Sequence, residues 1–294
     1  MKESLKGALY IVSAMLIFAF FGIFLRFLNL PSLVVVFFYF MLTGVFMFIF
    51  FFFKNKSIII VKSHWHLIIL LALFNIGNNF FYFQSFSRTT ISNAVVTHYT
   101  APIFVAILAP FLLKEKMDRA TLYALGISII GLLFITYNDL SFGSSHIAGI
   151  AYGIASGLMY GLVIIIVKHL SGKLSSFSII TYMCLLGGFI LSPFAFAADV
   201  NYGPRLIFML ALFAVLFGVI ATSFHFAGIK RVKSQHAGIL AYAELVAAPI
   251  YGLIFFNEIP ALSTIIGGIM IFIAGYLIMK DPVNLRRHFA RRFF

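Results

Sequence analysis

Acidic side chains are scarce in this chain: Asp and Glu number 8 in 294 residues, against 21 Lys and Arg. Charge of either sign is also rare, at 10% of residues, and there is one cysteine and one tryptophan. A lone Cys184 excludes an intramolecular disulfide and any metal cluster built from thiolates. There is no HExxH, no G-x-S-x-G, no phosphate loop and no pair of carboxylates within one apolar run. The constellations that hydrolases, metalloenzymes and nucleotide-driven pumps require are therefore missing, and neither an enzyme, a bound metal nor a cofactor is expected.

What the chain has in excess is apolar length. Hydrophobic residues make up 63% of it and the mean hydropathy is +1.09, a composition whose solvent is the bilayer. A hydrocarbon core of about 30 Å needs about 20 helical residues. Ten runs meet that length, at roughly 7–28, 31–53, 66–86, 92–113, 120–138, 147–169, 176–198, 206–228, 236–256 and 260–279. Helices are expected, because backbone groups in lipid must pair within their own segment and no ten-residue alternation of a barrel strand is visible. The first run follows Lys2 and Lys6 as a secretory signal would, but no small-residue cleavage site follows it, so it reads as a retained helix.

The net charge of +13 raises the question of nucleic acid, and its distribution answers it. With the N-terminus in the cytoplasm, 18 of the 21 basic residues fall on that side and only Arg26, Arg88 and Arg205 lie outside. This is a positive-inside bias that sets orientation, with both termini cytoplasmic and the chain in a cell membrane; no nucleic-acid partner is expected. The basic tail 281–294 reads as a topological anchor that can also rest on anionic headgroups.

The chain is a duplication. Phe80–Thr136 returns 143 residues later as Ser223–Met279 with 9 identities in 57 positions, and polar breaks and apolar runs fall in step. The two units are expected at 4–138 and 147–280. Five spans per unit is odd, so the copies lie upside down relative to each other. Inverted repeats are typical of secondary transporters, with the substrate at mid-membrane between halves that rock.

Polar side chains inside the runs are the candidates for that substrate. On the third span Asn75, Asn78, Asn79 and Tyr82 share one helical face, with Gln84 and Ser85 beyond them. The fourth span carries His98 and Tyr99 together with Pro102 and Pro110, prolines that free carbonyls for a cavity or a neighbour. Tyr160 on the sixth span and Tyr242 on the ninth, the repeat mate of Tyr99, complete the tyrosines of the set. Glu244 lies within about two residues of the centre of its span, and no other carboxylate is so central. A charge there costs roughly 2.5–3.5 kcal/mol, so it is a functional candidate by default, as an amine or cation ligand or a proton carrier. Ala237, Ala241, Ala248 and Tyr251 share its face and read as a trough of small side chains around one carboxyl.

Other residues read as structure. Gly153, Gly157 and Gly161 form a packing face. Glu115 and Glu258 sit between spans, with Asp118 as an N-cap and Pro260 suited to the first turn of the last helix. Arg26 and Lys168 read as snorkelling cations. The second span, apolar on every side, reads as lipid-facing. Thr222, Ser223 and His225 fall near the cytoplasmic end of the eighth span, where His225, like His236, reads as a hydrated interfacial histidine.

Two stretches carry a family resemblance: A-x5-TAPIFVAILAPFLLKE from Ala94 to Glu115, followed by a helix with Gly126 and Gly131, and HAGILAYAELVAAPIYGLIFFNEIPALSTIIGGIMIFIAGYLI in the second copy. They resemble the EamA domain of the drug/metabolite transporter superfamily. The resemblance implies an all-α membrane protein of ten helices in two inverted five-helix repeats, a cavity bordered by helices 1, 3, 4, 6, 8 and 9, and helices 5 and 10 as scaffold. It implies an exporter of small metabolites such as amino acids; a lipid flippase and an uptake carrier for nucleotide-like metabolites are the alternatives. Ala101 stands where the second copy has Glu244, so the halves contribute unequally. Proton coupling is compatible with a single central carboxylate, and monomer or homodimer stays open.

Overall fold

The computed structural model describes residues 3–21, 24, 30–53, 64–137, 140, 146–196, 200, 202–257 and 259–279. Arg26, Glu258 and the basic tail lie outside them. Ten helical spans follow in order: α1 (Glu3–Phe18), α2 (Ser32–Phe53), α3 (Trp65–Arg88), α4 in the pieces Ile91–His98 and Ala101–Leu112, α5 (Arg119–Thr136), α6 (Ile147–Leu170), α7 (Ser176–Phe196), α8 (Pro204–Arg231), α9 in the pieces Ser234–Ala241 and Ala243–Phe256, and α10 (Leu262–Met279). Among the described residues, nine of these are long and apolar enough to cross a membrane; α1 stops at Phe18 in a turn closed by Phe20 N–H on the Ile17 carbonyl, at 3.0 Å. No strand occurs among the described residues.

The packing partners follow the duplication. α1 packs on α8 and α3 on α6; α4 packs on α6 and α9 on α1; α2 pairs with α7 and α5 with α10. Exchanging the two halves turns each of these pairs into another on the same roster, as a twofold relation between inverted five-helix units requires. The ends of α4 and α9 repeat in detail. Lys114 and Asn257, 143 residues apart, both take the left-handed conformation, at φ 56° and 55°, that stops the helix.

Local chemistry explains several boundaries. Asp118 caps α5 by accepting from the Thr121 N–H and hydroxyl, both at 2.8 Å. It also takes the Lys233 ammonium at 2.9 Å. Burial opposes its charge, but the hydrogen bonds and the ammonium outweigh that and hold its carboxyl down at about 2. Glu115 does more than terminate its own span. Its Oε2 accepts from the backbone N–H and hydroxyl of Ser234, at 2.8 and 2.7 Å, so a glutamate of the first repeat caps the ninth span of the second. Lys168 does not snorkel: its Nζ donates to the carbonyls of Ile229, Lys230 and Val232 and so caps the end of α8. Pro260 is not in the first turn of α10, which begins two residues later at Leu262.

Helix association in lipid has no hydrophobic effect between helices to drive it, so close approach at small residues decides it. A Cβ on Gly157 would lie 2.6 Å from Thr100 Oγ1 and 2.7 Å from the His98 carbonyl oxygen, so α4 sits directly on the glycine face of α6. α2 is not a lipid-facing span on every side. Val34, Val35, Val36, Phe37, Phe40, Thr43 and Met47 are buried, and Gly187 and Gly188 of α7 let Phe40 and Met41 approach.

Gly157→Ala is expected to lower the melting temperature of the purified protein by several degrees, because overpacking costs about 1–3 kcal/mol. Gly126→Ala, where nothing lies within 4 Å of the added methyl, is expected to leave it unchanged or raise it. Thermal unfolding followed by size-exclusion chromatography compares the two.

Candidate functional site

α3 brings its asparagine face to the middle of the bundle. Asn75, Asn78, Asn79 and Tyr82 there line a cavity of about 150 Å³ with Phe18 and Phe21, Tyr39, His98, Tyr160 and Val163, Thr222, His225 and Phe226, and Glu244. Seven of the nine residues singled out from the sequence thus meet in one space. Among the described residues no Lys or Arg lines the cavity, and Glu244 is the sole acid that does.

Much of the polar wall is internally satisfied. Asn79 donates to the carbonyl and side-chain oxygens of Asn75, at 2.8 and 3.2 Å, and Asn75 Nδ2 lies 3.2 Å from the Met183 sulfur. Ser156 of α6 donates to Asn78 and stands 2.7 Å from His98 Nδ1. Ser156 has one proton to give; with that proton on Asn78, His98 donates from Nδ1 and keeps Nε2 as an acceptor. The imidazole is held between two rings, stacked on Tyr82 at 4.1 Å and on Tyr160 at 5.4 Å between centroids. Tyr160 continues to His225 at 6.2 Å and His225 to Phe18 at 6.3 Å, so aromatic faces form a continuous wall.

Tyr99 and Tyr242 stand behind the lining. At Tyr99 the fourth span tightens: Ile103 N–H bonds to Thr100 O at 2.9 Å rather than to Tyr99, and Pro102 has no N–H to offer His98. The freed Tyr99 carbonyl accepts from the Tyr242 hydroxyl at 2.8 Å, across the two repeats and 143 residues of chain. The ninth span tightens at the matching residue, with Leu245 N–H on Tyr242 O at 3.0 Å, although no proline follows within that turn. Glu244 is therefore presented two residues beyond a pinch, and the Tyr99 hydroxyl is its side-chain hydrogen-bonding neighbour.

The expected alanine trough does not form. The change of phase at Tyr242 separates Ala237 and Ala241, which are buried, from Ala248, which is exposed, and Tyr251 donates instead to the Leu16 carbonyl at 3.0 Å. Gln84 and Ser85 also lie off the cavity; Ser85 donates to the Gly149 carbonyl at 2.8 Å.

Three polar lining residues were not legible as such. Tyr39 reaches in from α2 and pairs with the Thr222 hydroxyl at 2.9 Å. Thr222 and His225 are 4% and 3% exposed, not hydrated. They follow a π-helical stretch, Ala214–Ala221, and Thr222 donates back to the Phe217 carbonyl at 2.8 Å. The only signal for His225 was its presence in an otherwise apolar run.

Each half of the chain matches the EamA-like transporter family, over residues 5–137 and 147–280. The chain belongs to the EamA-like transporter family. It is 36% identical over 214 residues to an uncharacterized transporter of Archaeoglobus fulgidus, covering 71% of this chain and 74% of that one. It is 20% identical over 193 residues to the pseudopaline exporter CntI of Pseudomonas aeruginosa, covering 66% and 67%. One solved crystal structure superposes with a TM-score of 0.83 at 15% identity, over 98% of this chain and 99% of that one, and shares the fold. This EamA-like protein is thus a multi-pass membrane transporter and not an enzyme.

Tyr242→Phe removes the one donor to the Tyr99 carbonyl, and an unpaired group in the bundle costs about 1–2 kcal/mol. A fall of a few degrees in melting temperature is expected, while Tyr137→Phe, at an exposed ring, leaves it unchanged.

Proposed function

We propose that this transporter is a secondary carrier that exports small metabolites, amino acids among them, by alternating access around the central cavity. The observation that carries the reading is the position of Glu244: one carboxylate between two inverted repeats, at a helix pinch, facing a cavity with three asparagines. A carboxylate in lipid must be neutralised by a proton or by a cationic partner, and exchange of one for the other couples transport to proton flow. Glu115 and the network around it support the rocking part of the reading. On the face that carries the N-terminus the repeats are tied by Glu115 to Ser234 and by Asp118 to Lys233, while Arg231 closes on Glu3 at 3.1 Å. On the opposite face, Thr89 meets His146 at 3.2 Å. The exposed Arg231–Glu3 pair is worth about 1 kcal/mol or less, and the part-buried ties about 1–3 kcal/mol each, small enough to be exchanged in turn.

The cavity weighs against the two alternatives. Its volume of about 150 Å³ and the absence of Lys and Arg among its described lining residues suit neither a nucleotide-like anion nor a lipid chain. The pseudopaline exporter among the relatives supports export as the direction. The basic balance of the chain supports cytoplasmic termini.

In proteoliposomes, Glu244→Gln is expected to reduce counterflow of a transported metabolite at least about tenfold, the loss of one charge-assisted hydrogen bond, with normal insertion and no residual pH dependence. Wild-type counterflow with wild-type pH dependence in that variant rejects the reading. Tags at the two chain ends are expected to be accessible only from the cytoplasmic side of the cell membrane; a tag reached from the other side overturns the orientation.

A further inference from the structure

We propose that the cavity selects a monocationic amine with a ring-sized apolar body, and that His225 is its second anchor. The inference rests on the carrier reading above and narrows it from small metabolites, zwitterionic amino acids included, to amines of net positive charge.

Three features of the lining carry it. The first is its sign: among the described lining residues Glu244 is present and no Lys or Arg is, so an anion or a second carboxylate on the substrate would enter without a cationic partner. The second is which hydrogen-bonding roles are left open. The Asn79 amide N–H groups are spent on Asn75, the Asn75 amide on Met183, and the Ser156 proton on Asn78. The acceptors that the wall still offers are the Glu244 carboxylate, Asn79 Oδ1 and, in that tautomer, His98 Nε2, beside the Asn78 amide N–H groups and the Tyr82 and Tyr160 hydroxyls as donors. An ammonium, with three donors and no acceptor, matches the three acceptors, and Glu244 is the charged one among them. The third is the body of the site. Tyr82, His98, Tyr160, His225 and Phe18 form a connected aromatic lining that packs an apolar group, and its Tyr and Phe rings also attract a cation. A volume of about 150 Å³ is close to that of cavities that hold a single benzene ring.

His225 supplies the second point of attachment. It is 3% exposed and lines the cavity, yet its Nε2 has no hydrogen-bond partner. A buried imidazole nitrogen left unpaired is costly, and every other lining histidine or asparagine has found a partner through its side chain. A hydroxyl on the far end of the substrate ring satisfies it, in either role and with either tautomer.

The test uses full-length protein in nanodiscs and equilibrium binding of radiolabelled 2-phenylethylamine, competed by tyramine, 2-phenylethanol, phenylalanine and phenylacetate. Tyramine is expected to bind most tightly, 2-phenylethylamine next, 2-phenylethanol and phenylalanine about tenfold more weakly, and phenylacetate weakest. Glu244→Gln is expected to level 2-phenylethylamine with 2-phenylethanol. His225→Ala is expected to erase the advantage of tyramine over 2-phenylethylamine, and His225→Gln, which keeps a polar amide, to restore part of it. A neutral or anionic compound that competes as well as the amines overturns the inference, as does an amine preference that survives Glu244→Gln. Failure of the carrier reading looks different: wild-type proteoliposomes then show no counterflow of any of the five compounds or of an amino-acid panel. If only the amine inference fails, counterflow persists with a neutral, zwitterionic or anionic compound preferred.

Discussion

A carbonyl that a helix releases inside a membrane must find a donor, and in this protein the donor comes from the other repeat. The Tyr99 carbonyl and the Tyr242 hydroxyl meet at 2.8 Å where α4 and α9 both tighten. An unpaired carbonyl in the bundle costs about 1–2 kcal/mol, so docking of the second repeat stabilises the pinch in α4. Glu244 is two residues from that joint, and its direction toward the cavity follows from the change of helical phase there. The pinch is therefore what converts a mid-span glutamate into a cavity residue.

The second constraint is how closely α6 approaches α4. Gly153, Gly157 and Gly161 leave no room for a methyl against Thr97, the Thr100 hydroxyl and the Ala101 carbonyl, respectively, without displacement. That approach brings Ser156 to His98 and Tyr160 onto the His98 ring. Packing and polar satisfaction thus act on the same contact: the glycines set the distance and the histidine network fixes the register. In the pair α1–α8, the twofold mate of α3–α6, Gly7 and Gly228 allow a comparably close approach.

The halves are related but not equivalent, and the differences concentrate at the cavity. Ala101 stands at the repeat position that corresponds to Glu244. The π-helical stretch of α8 has no counterpart in α3, which is α-helical from Trp65 to Arg88. Gly218 lies inside that stretch and accepts Thr43 of α2 against its backbone, while Thr43 itself reaches the Ala214 carbonyl at 3.5 Å. A close crossing between α2 and α8 thus coincides with the widened turn that precedes Thr222 and His225.

Ten apolar runs, their duplication, the odd count that inverts one copy, and the polar face of α3 were all legible in the chain, because hydropathy and helical spacing are properties of neighbours in sequence. Glu244 was legible for the same reason: a charge within an apolar run is visible without knowing what surrounds it. The roles of Tyr39, Thr222 and His225 were not, since one polar residue on an apolar helix carries no mark of which side it faces. Glu115 as the cap of a helix 119 residues away and Lys168 as the cap of α8 depend on which ends meet. Sequence alone determined that this is a duplicated, inverted membrane bundle with one central carboxylate. Only the tertiary structure decided which side chains share the cavity, because membership there depends on helix crossings and on two pinches, and the one in α9 has no local breaker to announce it.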